Sequence, residues 1–206
     1  MQKRLDMKNY DIDRILRPAF KLFLMYNYES VSTAKLEEET GLTRGAIFFK
    51  YKTKEALFKA VIDKYVFDFK PGSLDIKGVD SLKEFIDRFL IGIEERMKEM
   101  QSLGVPSIHA NGFNLLYQAA KYYPEFNTKI SAMFDLGVQI WENIIQEAKE
   151  SGEIKPTCDV HKTALQFRYL YSGMAFEDSF FKGLNLDLLR DLFYSLYDEL
   201  KNENSV

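Results

Sequence analysis

The stretch TRGAIFFKYKTKEAL, Thr43 to Leu57, sets three aromatic rings, Phe48, Phe49 and Tyr51, among the cations Arg44, Lys50, Lys52 and Lys54. Rings belong in cores and cations in water, so a helix carrying both either has one face of each or presses both against something outside the protein. Helical spacing divides the set. Ile47 and Tyr51 are four apart and share a face suited to packing on Leu36 and the helix before it. Arg44, Gly45 and Phe48 are expected roughly opposite, with Phe49 toward the edge, so not all the rings belong to the core.

Upstream, Ser32 to Thr40 reads as a short helix that opens on a hydroxyl pair suited to capping and stops at Gly41, where a left-handed backbone costs little. The next helix starts after Leu42 with Thr43 as its N-cap. Two helices joined by so short a glycine-bearing turn form a helix-turn-helix, a unit that sets its second helix into a major groove. An exposed Phe beside Arg and Lys is costly in water and useful on DNA, where a ring meets a thymine methyl or a sugar and Arg pairs with guanine. Gly45, near the helix start, lets backbone approach phosphate, which a helix N-terminus attracts.

Charge supports this division. The 206-residue chain has a net charge of −3, but residues 1–64 hold 13 Lys and Arg against 9 Asp and Glu, and residues 65–206 hold 15 against 22. A basic head on an acidic body suits a polyanion-binding module, because repulsion keeps the body off the polymer. The chain is long enough to bury a core without disulfide or metal. A lone cysteine, Cys158, suits a reducing cytoplasm. No signal peptide and no run of 18 apolar residues is expected to engage a membrane.

The remainder reads as helix almost throughout, making the fold all-α with about nine helices. Before Ser32, a first helix near Asp13 to Tyr26 carries Ile15, Leu16, Ala19, Phe20, Leu22 and Phe23, and Pro18 inside it should kink it or push its start later. Long amphipathic stripes run from Leu82 to Met100, capped by Ser81 or Asp80, and from Pro124 to about Gly152. Between them Pro106 to Tyr123 is a shorter helix weakened by Gly112. Thr163 to Phe181 is apolar on most of its circumference, which calls for burial from both sides, and Leu188 to Leu200 forms a last stripe. Breaks fall at Phe69 to Gly78, Ser102 to Pro106, Lys149 to Thr157 and Lys182 to Asn185; the first marks a boundary between a head, 1–64, and a body, 65–206. Residues 1–9 and 202–206 should fray.

The first-helix pattern ILRPAFKLF, the phrase NYESVSTAKLEEETGLTRGAIFFKY and the following TKEALFKAVI resemble the DNA-binding domain of the TetR family of transcriptional regulators. The resemblance covers residues 12 to 64, about a quarter of the chain. It implies that Thr43, Arg44, Gly45 and Phe48 meet bases and phosphates, that Phe49 and Lys50 grip the backbone, that Lys54 in the first turn of the next helix binds phosphate, and that Thr33 faces the groove edge. Three positions depart from the pattern: Glu37 stands where the family has Ala, Ala34 where several members carry a basic residue, and Pro18 inside the first helix. The resemblance further implies a homodimer on a palindromic double-stranded DNA operator, released by an unidentified small-molecule effector.

In the body, His109, Asn111, Asn114 and Tyr117 with Trp141, Phe167 and Tyr171 are candidates to line an effector cavity, against the alternative of a filled core. Phe176, Phe180, Leu189, Leu192, Phe193 and Leu196 belong to the last two helices, which the resemblance makes a dimer interface; the same stripe also suits an internal core. Cys158 and His161 lack the further ligands a metal needs, so no metal or other cofactor is expected. Glu37 to Glu39 read as a solvated face. No catalytic motif occurs, which argues against an enzyme. The rival reading is a small-molecule-binding helical protein with a degenerate DNA-binding head.

Overall fold

A computed structural model gives the structure, which describes residues 12–68, 78–105, 108–181 and 183–202. The boundary expected at Phe69 to Gly78 lies, except for Gly78, outside the described residues, as do residues 1–9 and 203–206. Among the described residues there are nine α-helices and no strand, only an isolated bridge between Ile154 and Lys201. The helices are α1 (Arg17–Met25), α2 (Thr33–Thr40), α3 (Arg44–Tyr51), α4 (Lys54–Ile62), α5 (Leu82–Gln101), α6 (Ile108–Tyr122), α7 (Phe126–Glu150), α8 (Val160–Asp178) and α9 (Leu186–Leu200).

Cap chemistry explains most of these limits. Ser32, Thr43, Thr53, Ser81, Asp159 and Asn185 each accept a backbone N–H three residues on, satisfying a donor that a helix start leaves open. Gly41 ends α2 at φ +67°, the left-handed conformation that glycine adopts without steric cost. Pro18 falls in the first turn of α1, after a π-helical turn at Ile12–Leu16. The segment is therefore already helical before Pro18, which lies where the wider π-helical turn passes into α1 and has no N–H to donate back into it.

The chain divides into two compact units. The first comprises Met1–Phe69, Leu103–Pro106 and Asn111–Lys129, the second Lys70–Ser102, Ser107–Ala110 and Ile130–Val206. In the first, Phe23, Leu36, Ile47, Leu57, Phe58 and Val61 are fully buried at the meeting of α1 to α4. Edge-to-face rings, Phe23 on Phe58 at 4.9 Å and Tyr28 on Phe58 at 5.0 Å, tie α1 and its following turn to α4. Residues 117–129 close over the same core. Tyr28 stacks on Tyr122 at 4.3 Å, Tyr123 donates to Asp63 at 2.8 Å, and the Lys129 ammonium bonds the same carboxylate at 2.6 Å.

The second unit is built on rings. Trp141 of α7 stacks on Phe167 of α8 at 4.6 Å and takes Phe85 of α5 edge-on at 4.7 Å, while Phe193 of α9 meets Phe167 at 5.1 Å. Such pairs contribute about 0.5–1.5 kcal/mol each beyond area burial. Glu153, in the α7–α8 loop, accepts the N–H groups of Leu82 and Lys83 at the start of α5 and the Tyr197 hydroxyl of α9, joining three elements through one carboxylate. Helix α8 is not buried all round within this unit: Tyr169 and Phe176 remain exposed. No helix among the described residues is long and apolar enough to cross a membrane.

Candidate nucleic-acid interface

The surface of α3 follows from what holds its inner side. Ile47 is fully buried and fixes the rotation of the helix. At about 100° per residue, Phe49 then falls about 200° away and Gly45 about 160° away. The structure agrees: Phe49 is 80% exposed, whereas Phe48 is half-buried. This corrects the expected order of the two rings, because Phe48 lies only about a quarter turn from Ile47 and the protruding ring is Phe49. The Lys52 ammonium lies 5.1 Å from the Phe49 ring, so the ring and a cation are presented together. Tyr51 is half-buried beside Ile47.

Gly45 has an ordinary backbone conformation, and a Cβ built on it would meet nothing nearer than Thr43 Oγ1 at 3.9 Å. The fold therefore does not require glycine here. A glycine in a helix interior costs about 0.5–1 kcal/mol relative to alanine, less in a first turn, and no contact among the described residues offsets it. The open amides of the first turn are divided. Thr43 Oγ1 accepts from Ala46 at 3.3 Å, Glu37 Oε1 accepts from Arg44 at 2.6 Å, and the Gly45 N–H has no acceptor among the described residues. The Arg44 side chain, exposed on the same turn, is the cation nearest that amide in sequence.

The run Glu37 to Glu39 is thus not one solvated face. Glu39 pairs with Lys21 at 2.7 Å, Glu38 is exposed, and Glu37 turns to the start of α3. That answers how a carboxylate fits where the family pattern has Ala: it bridges α2 to α3 instead of crowding between them. Thr33 is half-buried and Ala34 exposed at the start of α2. Lys54 is directed inward. Its ammonium donates to the carbonyls of Tyr28 at 3.0 Å and Val31 at 3.2 Å and lies 4.4 Å from the Tyr28 ring, leaving one of a lysine's three donors for an outside partner.

The seven cavity candidates are divided between the two units. Trp141 and Phe167 are buried in the packed ring cluster, and Tyr171, half-buried, meets it through Phe89 at 5.5 Å. Burial raises the Tyr171 hydroxyl above the usual tyrosine value. His109 is half-buried against Gly183, and burial lowers its pKa against the opposing pull of Asp178. Asn111, Asn114 and Tyr117 fall in the first unit, where Tyr117 is 67% exposed and lines a cavity of about 300 Å³ with Tyr28 and Lys121. Among the described residues no group of three or more His, Cys, Asp or Glu side chains is placed to hold a metal. The His161 ring bonds Glu142 at 2.6 Å, and Cys158 lies 3.3 Å from Thr163 Oγ1.

Residues 15–61, the segment that builds this helix-turn-helix, match the family described as bacterial regulatory proteins, tetR family. The match to the tetR family is confined to this segment. Within the same region it is 41% identical over 59 residues to the HTH-type transcriptional repressor ComR of Escherichia coli (strain K12); the match spans 29% of this chain and only 28% of that repressor. The TetR-type fold extends over both units. A TetR family transcriptional regulator from Cytophaga hutchinsonii superposes with a TM-score of 0.72 at 20% identity, over 93% of this chain and 95% of that one. The TetR family regulator CifR, solved with 26 bp of double-strand operator DNA, superposes with a TM-score of 0.61 at 17% identity, over 91% and 95%. At these identities the structural likeness establishes the fold alone.

Proposed function

We propose that this chain is a DNA-binding transcriptional regulator of the TetR family, a repressor by default, which acts in the cytoplasm as a homodimer on a near-palindromic operator. The observation that carries the reading is the outer face of α3. It presents an 80% exposed phenylalanine, a glycine the fold does not require and a free amide beside Arg44. Each of these is costly or idle in water and useful against a groove, where a ring meets a thymine methyl and backbone approaches phosphate. Thr33, Thr43, Arg44, Gly45, Phe48, Phe49 and Lys50 form the docking face in residues 1–64, with Lys54 offering its remaining donor.

The dimer reading is supported within the second unit by Phe176, Phe180, Phe181 and Leu192, exposed at 43%, 71%, 75% and 37%. Leu189 and Phe193 are fully buried in the same unit and serve the core instead, and Leu196 is half-buried. A two-fold axis would set the two α3 helices in successive major grooves, about 34 Å apart. Release by a small-molecule effector in the body, 65–206, is part of the proposal. A hundredfold difference in affinity between the two states of the dimer would supply about 2.7 kcal/mol for the switch.

Mobility-shift titration against the DNA upstream of its own gene tests the reading. A complex that prefers that sequence at moderate salt is expected, and binding that shows no preference refutes operator recognition. Sedimentation of wild type and Leu192→Glu tests the dimer; wild type sedimenting as a monomer refutes it.

A further inference from the structure

Glu37 stands where a regulator's phosphate-binding helix would gain nothing from an anion. Its carboxylate is half-buried, reaches from α2 and accepts the Arg44 N–H at 2.6 Å, in the first turn of α3. Its neighbours are disposed differently: Lys21 neutralises Glu39, and Glu38 is exposed to solvent. Glu37 is therefore the acidic side chain of this run that is fixed on the turn carrying Arg44 and the open Gly45 amide.

We propose that Glu37 is an affinity-limiting residue of the DNA-binding face, whose fixed negative charge repels the phosphate backbone of any duplex docked on α3. The inference rests on the DNA-binding reading above. Backbone attraction is independent of sequence and supplies most non-specific affinity, whereas base contacts supply discrimination. A charge that opposes the first term lowers affinity for operator and bulk DNA alike and leaves their ratio to the base contacts. Arg44 gains from the same carboxylate. Its amide is held by Glu37, so its guanidinium starts from a fixed backbone position and meets a base edge with less ordering to do.

The test compares Glu37→Gln, Glu37→Ala and Glu38→Gln in the full chain, on the upstream duplex and on a mixed-sequence duplex, across a salt series. Glu37→Gln keeps an acceptor for the Arg44 N–H and removes the charge. It is expected to tighten binding to mixed-sequence DNA by about three- to tenfold, the factor for one unit charge about 6 Å away at an effective dielectric between about 80 and 40. The gain should shrink as salt rises, because screening shortens from about 10 Å at 0.1 M to about 3 Å at 1 M. Binding to the upstream duplex should tighten by a similar factor, so that operator preference stays unchanged. Glu37→Ala should also tighten non-specific binding, and Glu38→Gln should do so much less.

Unchanged binding by Glu37→Gln, or weaker binding by Glu37→Ala with Glu37→Gln at the wild-type level, would show that Glu37 only positions α3 and overturn the inference. An equal gain from Glu38→Gln would overturn it in favour of bulk charge. A wild-type protein that binds no duplex would overturn the DNA-binding reading and this inference together, whereas wild-type binding with no response at position 37 leaves that reading standing.

Discussion

Replacing Gly45 by Ala separates what the fold needs from what a partner needs. The added Cβ meets only Thr43 Oγ1, at 3.9 Å, an ordinary van der Waals distance, and the backbone there is not left-handed. Inside the protein the change therefore has one effect, the gain in helix propensity, about 0.5–1 kcal/mol in a helix interior and less in a first turn. For a chain of this size each kcal/mol moves Tm by about 2–4 °C, so the variant should melt about 1–3 °C higher. On DNA the sign reverses. A methyl group pushed into a close-packed contact costs about 1–3 kcal/mol, or about five- to 150-fold in Kd. Thermal melts followed by circular dichroism and mobility-shift titrations on one preparation read both effects. A lower Tm would mean that Gly45 serves an internal contact, and a higher Tm with unchanged Kd would remove α3's first turn from the DNA interface.

Phe49→Ala should leave stability within about 0.5 kcal/mol, because the ring is 80% exposed, while weakening the upstream complex about tenfold; unchanged affinity would take the ring off the DNA. Lys54→Ala should lower Tm, because two carbonyls of the α1–α2 turn lose a charged donor worth about 1.5–3 kcal/mol; if the remaining donor also meets a phosphate, the salt slope of binding falls by about one unit. A changed slope with unchanged Tm would contradict the inward lock seen for the ammonium. In the second unit, burial and then hydrogen bonds to Asp87 and Glu153 push the Tyr194 and Tyr197 hydroxyls up to about 12. These values exceed the ordinary tyrosine value of about 10, so the unfolded chain loses protons first as pH rises. The stability they contribute is complete below about pH 10 and falls through about pH 12. Denaturation titrations of the Tyr194→Phe, Tyr197→Phe double variant should show a shallower loss in that window; an unchanged loss would assign it to other groups.

Much of the fold was legible because its limits are local. Ser32, Thr43 and Ser81 cap within three residues of themselves, and the glycine at position 41 marks its own turn, so helix starts and the helix-turn-helix could be read from short windows. Leu82 to Met100 was legible for another reason: a stripe of period 3.6 is visible without knowing its partner. The order of Phe48 and Phe49 was also within reach of the sequence, since the angle from Ile47 decides it, and was assigned to the wrong ring. What the sequence did not carry is long-range. Glu37 reaches Arg44 seven residues away, Lys54 finds carbonyls more than twenty residues back, and residues 111–129 join the compact unit of the head. Whether Trp141 and Phe167 line a space or fill it depends on rings from α5 and α9, which no local window contains.

The head's charge gives these details a common direction. An excess of four positive charges over residues 1–64 is modest for a polyanion binder, and several of the cations are engaged internally, among them Lys21 with Glu39, Lys59 with Glu125 and most of Lys54 with backbone carbonyls. Non-specific affinity grows with the number of phosphates neutralised, so a head with few free cations and an anion fixed beside its reading helix starts from weak bulk attraction. A regulator needs a large ratio between operator and competing genomic sites more than it needs a low Kd. Weak attraction satisfies that only if base and groove contacts are good, which is the role left for Arg44 and the projecting ring of Phe49. On this argument, substitutions that add positive charge to α2 should tighten all complexes about equally, while substitutions on the outer face of α3 should lose discrimination first.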